Sequence, residues 1–423
     1  MGGNSIGLGY RQEFNTHLWT LNASMNQQVN NRFRVSFVEN FRTSVLKLAS
    51  QGDRWKDDQN ASMRLAYRLL PTLEMQGEMQ SIVFLDKQSG FNNDVRSFTG
   101  TVGLEYTPIP QLYGQAFLGP KWDSRFNQND RGLNYGINLR AGNFKWQDYD
   151  NNINIAVAED TYDRRRNTNY MTTYRLSREF TENAADSVEI YFSNRRRDNY
   201  VSIVGDVESQ RENVKGGRND LFYKLGDFWN LELETLLEFK NVELRQYGET
   251  SQERRRKRND QRFNNDLSIV LNSDKIKGNF DLAYWMQEQR YDLNVTNADR
   301  PFSSRTAFIT PDNSSSRLSF NTFLRSRFTN RDSASVYVSL SKFQYDTPDT
   351  TNFDDRDELR INTRATVSHW FNPALKVELL ASANLYHMVY IFGERSADNN
   401  WNRIFLLRPI IEYQPTESLR LFQ

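Results

Sequence analysis

The sequence predicts an all-β chain of about twenty long antiparallel strands joined in up-and-down order. Two observations carry that expectation: period-two alternation over unusually long runs, and reversal signals that recur along the 423 residues. Within 317–343, Leu318, Phe320, Thr322, Leu324, Ser326 and Phe328 form one set, and Arg317, Ser319, Asn321, Phe323, Arg325 and Arg327 the other. Past Asn330-Arg331-Asp332 the alternation resumes, Ala334, Val336, Val338 and Leu340 against Ser335, Tyr337, Ser339 and Ser341. Side chains alternate faces along a strand, so each run has an apolar and a polar face. These runs are about twelve and ten residues long, roughly twice the usual length.

The reversals come next. Short turn-like stretches are anchored at Asn31, Pro71, Pro110, Asn143, Asn183, Trp229, Ser273, Asn330, Pro373 and Pro415, spaced 33 to 57 residues apart. Asn, Pro, Gly and Asp supply the turn chemistry. Between them lie longer polar stretches, KQSGFNND, DSRFNQNDR, TYDRRRNTN, ETSQERRRKRNDQ and TPDTTNFDDRDE, expected as long loops. The repeating unit is therefore strand, short turn, strand, long loop, with sequence neighbours antiparallel. Alternation recurs at Val102, Leu104 and Tyr106, at Leu133, Tyr135, Ile137 and Leu139, and at Leu375, Val377, Leu379, Ala381, Ala383 and Leu385; charge runs obscure it in 195–220.

A propeller blade would fit four short strands into this period, whereas only two long ones fit here. An open sandwich of so many hairpins would leave exposed edges, which closure into a barrel removes. Twenty strands about 4.8 Å apart and tilted about 40° close at a diameter of roughly 40 Å, too wide for side chains to fill an apolar lumen. The apolar set must then face lipid and the polar set a wet interior, the pattern of a transmembrane barrel. Phe33, Tyr106, Phe180, Trp229, Phe328, Phe371 and Tyr413 gather beside the short turns, as an interfacial aromatic belt would. A soluble or surface β-protein, a propeller or an adhesin, is the bland alternative.

Composition agrees. Only 38% of residues are hydrophobic and the mean hydropathy is −0.76, as expected when half of every strand and every loop is in water. Lys and Arg number 54 against 53 Asp and Glu, which gives no attraction for nucleic acid. The absence of cysteine removes disulfides, thiolate metal sites and thiol nucleophiles. No apolar run reaches the length of a transmembrane helix, and Met1–Phe14 lacks the basic and apolar regions of a signal peptide. A single barrel domain over 1–423 is expected, incomplete at one or both ends.

In this architecture the chain resembles the large outer-membrane β-barrels of Gram-negative bacteria. The resemblance rests on strand pattern over nearly the whole chain and on no diagnostic motif. It implies a place in the bacterial outer membrane, short periplasmic turns, long extracellular loops and a transport or assembly role. No plug domain precedes the barrel, unlike the pattern of TonB-dependent receptors, and the final Leu421-Phe422-Gln423 departs from the terminal aromatic of such barrels. The expected function is a channel passing small polar solutes, the alternative a scaffold or translocation barrel whose lumen holds a partner protein or lipid carrier.

Chemistry-bearing residues are sparse, and neither enzyme activity nor a cofactor is expected. Of three histidines, His369 and His387 fall in the outward set near opposite ends of one hairpin and cannot converge on a metal; His17 precedes the first clear strand without a visible partner. Glu74, Glu78, Lys121, Arg140, Arg175, Glu232, Glu234, Arg325, Arg327, Arg360 and Arg364 are expected to line the pore, acids leaning toward 74–78 and 232–238 and bases toward 317–364. Arg164, Arg165, Arg166, Arg254, Arg255 and Arg256 are candidates for contact with lipopolysaccharide phosphates, against the plainer reading of solvated loops. The acidic loop around Asp346, Asp349, Asp354, Asp355 and Asp357 lacks the spacing of a calcium loop and reads as solvated.

Overall fold

The computed structural model describes residues 3–47, 53–88, 91–92, 94–125, 128–200, 207–247, 254–292, 312–348, 354–416 and 419–422. It is almost entirely strand. The strands are β1 (Asn4–Glu13), β2 (Thr16–Gln28), β3 (Phe33–Leu46), β4 (Arg54–Leu70), β5 (Leu73–Gln88), β6 (Phe91–Asn92), β7 (Val95–Ile109) and β8 (Leu112–Arg125). There follow β9 (Gln128–Trp146), β10 (Tyr149–Tyr162), β11 (Arg166–Thr181), β12 (Ala184–Tyr200), β13 (Val207–Leu225), β14 (Trp229–Tyr247) and β15 (Arg254–Asn272). The last are β16 (Ile276–Asp292), β17 (Asn313–Arg327), β18 (Asp332–Asp346), β19 (Arg356–Asn372), β20 (Leu375–Tyr390), β21 (Asn400–Thr416) and β22 (Leu419–Phe422), with one 3-10 turn at Gly393–Asp398.

Two compact units divide the chain: 1–174, 191–214 and 241–257, and 175–190, 215–240 and 258–423. In the first, each strand from β1 to β5 pairs antiparallel with the next, β5 pairs with β7, and the ladder continues neighbour to neighbour to β10. In the second the same meander runs from β16 to β22. This is the up-and-down all-β architecture expected. Among the described residues no ladder closes the sheet into a ring.

The short reversals at Asn31, Pro71, Pro110, Asn183, Ser273, Asn330 and Pro373 all fall between strands. Side chains hold several of them: Asn30 Oδ1 accepts the Arg32 and Phe33 amides at 2.8 and 2.9 Å, and Asn372 Oδ1 accepts those of Ala374 and Leu375, both at 2.9 Å. The turn expected at Asn143 lies four residues later. Gln147 and Asp148, both at positive φ (50° and 66°), join β9 to β10, the left-handed pair that matches strand twist. Asn143, at φ 58°, instead sits at a register shift between the pairs Phe144–Asn151 and Ala141–Ile153, a bulge that mimics a turn in sequence.

Two of the expected long loops are tight connections. Arg125 pairs directly with Gln128 at the β8–β9 reversal, and only Asp163, Arg164 and Arg165 separate β10 from β11. ETSQERRRKRNDQ is mostly absorbed by β15. The reason is visible along the strands, where same-face neighbours two residues apart neutralise one another: Arg196 with Asp198 at 2.8 Å, Arg258 with Asp260 at 2.9 Å, Arg245 with Glu243 at 2.5 Å. A charged run is then compatible with strand.

Apolar side chains do not gather in a core. Among the described residues the buried hydrophobics are Val45, Ala66, Tyr162, Tyr200, Val207, Val242 and Leu380, whereas Val102, Leu118, Val367 and Leu407 are 56–68% exposed. Register places the exposed ones together: Val102 faces Leu118, and Val367 faces Ala334 and Leu379. One face of each ladder is therefore apolar and exposed. β21 is the exception, with Ile404, Leu406 and Ile410 on the other face too, opposite Asn384, Ser382 and Glu378.

Aromatic rings mark both ends of the apolar face. At the short-turn end stand Phe33 opposite Tyr67, Tyr106, Phe371 and Tyr413. The sequence reading missed the second belt: Trp55 on the strand of Tyr67, Phe98 opposite Trp122 with ring centroids 5.3 Å apart, and Trp401 against His387 at 4.1 Å. From Phe98 to Tyr106 is eight positions and from Trp55 to Tyr67 twelve. At about 3.4 Å per residue the two belts lie about 27–41 Å apart along the strands.

Candidate functional site: the polar face

The other face collects the charges, and in the first unit it is wired together. Gln76, nearly buried, is the hub: Arg64 donates to its Oε1 at 2.6 Å and Gln115 at 3.3 Å, while its amide donates to Glu105 at 2.5 Å and Glu74 at 3.0 Å. Arg34 reaches Glu74 at 3.6 Å, Tyr113 donates to Gln115 at 3.3 Å, and Arg140 lies over the Tyr113 ring at 5.6 Å. These residues come from β3, β4, β5, β7, β8 and β9. The pairs Arg64 with Glu78, Glu74 with Glu105 and Tyr113 with Arg140 put them on one face. Further along, Asp160 accepts from Lys121 and from Asn134, both at 2.7 Å.

The densest cluster lies where this face meets the β10–β11 connection. Arg165 donates to Asp130 at 2.6 Å and Asp123 at 2.5 Å, with its guanidinium between the rings of Tyr162 at 4.8 Å and Tyr200 at 4.6 Å. The Tyr200 hydroxyl donates to Asp130 at 2.7 Å. Beside it Asp198, fully buried, binds Arg196 and accepts the Arg166 amide at 2.9 Å. Burial opposes the Arg165 charge, but the Asp123 and Asp130 carboxylates outweigh it and hold the guanidinium above its ordinary pKa. Arg165 is only 3% exposed: a three-residue connection folds it back onto two carboxylates. Arg166 is likewise engaged, with Glu159 at 2.7 Å. Arg164 is exposed in the connection and Arg256 is exposed on β15, while the side chains of Arg254 and Arg255 lie outside the described residues.

In the second unit, Arg325, Arg327, Arg360 and Arg364 share the polar face of β17 and β19, in register with Ser335, Ser333, Ser341 and Tyr337. Arg360 is bound by Glu358 at 3.1 Å and stacks on Tyr386 at 4.9 Å. Arg325, Arg327 and Arg364 have no ion-pair partner among the described residues. Arg175 donates to Ser187 at 3.3 Å, and Arg218 binds Glu234 at 3.1 Å. Thus Glu74 and Glu234 have cations beside them on their own wall, which blunts the segregation of acids from bases that sequence position suggested.

The histidines lie as expected in one respect. His369 and His387 are on the apolar face at opposite ends of the β19–β20 ladder, His369 held by Asp332 at 2.6 Å. His17, however, is inside β2 and contacts the Tyr10 hydroxyl at 2.9 Å, so it has a partner that the sequence did not reveal. Among the described residues no group of three or more potential ligands converges on a metal position. In the β18–β19 connection, Asp355 accepts the Thr347 amide at 2.8 Å. Burial first, then the neighbouring Asp346 and Asp354, raise its carboxyl above the usual range. Asp349 lies outside the described residues.

No protein-family model matches the sequence, and no curated protein does. Solved structures with a similar course of chain include the copper transporter OprC, 9% identical over 100% of this chain and 73% of that one, TM-score 0.42. The ferric-catecholate import receptor Fiu of E. coli K12 is 10% identical over 96% and 68%, TM-score 0.40. OpdL of Pseudomonas aeruginosa is 12% identical over 90% and 98%, TM-score 0.28. The likeness is distant in both sequence and superposition.

Proposed function

We propose that the sheet closes into the wall of a bacterial outer-membrane barrel whose polar face lines a wet passage for small polar solutes. The observation that carries this is the division of each ladder into two faces. One presents exposed Val102, Leu118 and Val367 between two aromatic belts; the other presents carboxylates and guanidinia satisfied by hydrogen bonds across strands. A continuous apolar face of this extent is not left in water, and closure leaves no unpaired edge in lipid. Charges of both signs on the inner wall keep it hydrated without strong ion selection.

The test is conductance of the detergent-purified protein in a planar bilayer. A steady ohmic conductance supports an open passage. Insertion without conductance overturns it and points to a lumen occupied by a partner protein or lipid carrier.

A further inference from the structure

On the polar face of β17 to β20 lies an open recess of about 780 Å³. Most of that face carries Ser, Asn, Thr and charge, yet here Phe323 and Tyr337 stand directly opposite each other, both substantially exposed. Tyr337 is in turn opposite Arg364, and Arg325 follows Phe323 by two positions on the same face. Neither arginine has an ion-pair partner among the described residues, and neither leans on a ring. The recess has one carboxylate in its lining, Glu378, already bound by Lys376 at 2.9 Å.

We propose that this recess binds a small aromatic carboxylate, its ring against Phe323 and Tyr337 and its carboxylate between Arg325 and Arg364. The inference rests on reading the polar face as a wet wall and names what that wall selects. Two adjacent exposed rings offer a surface for offset or edge-to-face packing. A guanidinium fork matches a carboxylate in two parallel hydrogen bonds, which a lysine would not reproduce. The two arginines are two strands and one row apart, roughly 12 Å between backbones at about 4.8 Å per strand and 6.8 Å per row, so their extended side chains converge on one anion. On the same face outside the recess, Arg360 is neutralised by Glu358. Leaving Arg325 and Arg364 unneutralised beside bare rings gives this stretch a complement that is both anionic and flat.

The experiment is calorimetric titration of the whole detergent-solubilised protein with benzoate, cyclohexanecarboxylate, benzyl alcohol, galacturonate and inorganic phosphate. Benzoate is expected to bind, with cyclohexanecarboxylate and galacturonate several-fold weaker and benzyl alcohol undetected. The double variant R325Q/R364Q is expected to lose about tenfold or more in benzoate affinity, and F323S/Y337S to erase the preference for benzoate over cyclohexanecarboxylate. Arg317→Gln, on the same face outside the recess, is the control and leaves binding unchanged. All these side chains are exposed to the open face, and retained heat-resistant mobility on gels confirms folding of each variant. Phosphate or galacturonate binding as tightly as benzoate, or benzoate binding untouched by R325Q/R364Q, overturns the proposal. Binding in detergent needs no open pore. A conducting barrel that ignores benzoate defeats this proposal alone, and a silent barrel that binds it defeats only the open passage.

Discussion

Replacing Arg165 with alanine tests whether the cluster at the β10–β11 connection fastens that end of the sheet. The wild-type guanidinium is buried against Asp123 and Asp130, whose side chains are 4% and 3% exposed, and lies between two tyrosine rings. Asp123 and Asp130 are also cross-strand partners, so removing Arg165 leaves two buried carboxylates directly opposite each other with their shared counter-ion gone. Breaking a buried pair by deleting one partner costs about 3–5 kcal/mol, and loss of the ring contacts is contained in that figure rather than added to it. The assay is urea unfolding of the vesicle-reconstituted protein, followed by tryptophan fluorescence. The triple variant R165A/D123N/D130N removes the stranded charges and is expected to recover most of the loss, because neutral amides can bond to each other and to Tyr200. A loss below about 1 kcal/mol, the size of an exposed pair, would refute the reasoning. So would a triple variant no more stable than Arg165→Ala, since the stranded carboxylates would then not be the cause.

Three further outcomes follow from the same geometry. Leu118→Arg puts a guanidinium at the middle of the apolar face of β8 and is expected to cost about 2–4 kcal/mol in vesicles, whereas Ser339→Arg on the polar face stays within about 0.5 kcal/mol; equal costs would mean the faces are misassigned. Gly119→Ala would place its Cβ 1.7 Å from the Gly100 carbonyl oxygen and 2.6 Å from Thr101 Cα, both backbone, so a loss of about 1–3 kcal/mol or more is expected; Gly7→Ala, whose Cβ would find its nearest atom at 3.9 Å, is the control in the same unfolding assay. Asp355 has a raised pKa in the fold, so its contribution favours the fold below the unfolded value near 4 and is lost as pH rises through the folded value. Asp355→Asn is expected to flatten the fall in thermal stability above about pH 4, and parallel pH profiles for variant and wild type would show that the group does not matter.

The two faces were legible because strand periodicity is local. Leu318 to Phe328 and Ala334 to Leu340 declare their sides without reference to any partner, and a slip by one residue would move Arg317, Arg325 and Arg327 into the apolar set. The reversals were legible where a single side chain closes them, as at Asn30 and Asn372. At Asn143 the same residue type served a bulge instead, and nothing short of the register, in which Phe144 pairs with Asn151 and Ala141 with Ile153, tells the two apart. Glu74, Glu78, Lys121 and Arg140 share the polar face of their ladder, and Arg325, Arg327, Arg360 and Arg364 that of theirs, since parity alone settles that. Which of them are neutralised depends on neighbours 12 to 40 residues away, as with Gln76 and Glu105 or Lys121 and Asp160, and register, not parity, brings those together.

The runs of charge misled for a more instructive reason. Arg254-Arg255-Arg256-Lys257-Arg258 looks like a solvated loop, and Arg195-Arg196-Arg197-Asp198 obscures the strand period, because like charges in sequence repel and extend. On a strand the relevant neighbour is two residues away, not one. Arg-x-Asp, Arg-x-Glu and Glu-x-Arg then become ion pairs along one face, as at Arg196 and Asp198, Arg356 and Glu358, Arg245 and Glu243, and Arg258 and Asp260. That spacing was present in the sequence and is the signal that would have extended these strands past the apolar band. It also explains why Arg125 pairs directly with Gln128 and why only 163–165 separate β10 from β11: length expected in loops is spent on charged strand. A strand built this way carries counter-ions for its own charges along one face. On the function proposed above, the cations without ion-pair partners among the described residues of the polar face, Arg325 and Arg364 among them, are the exceptions that a solute would meet.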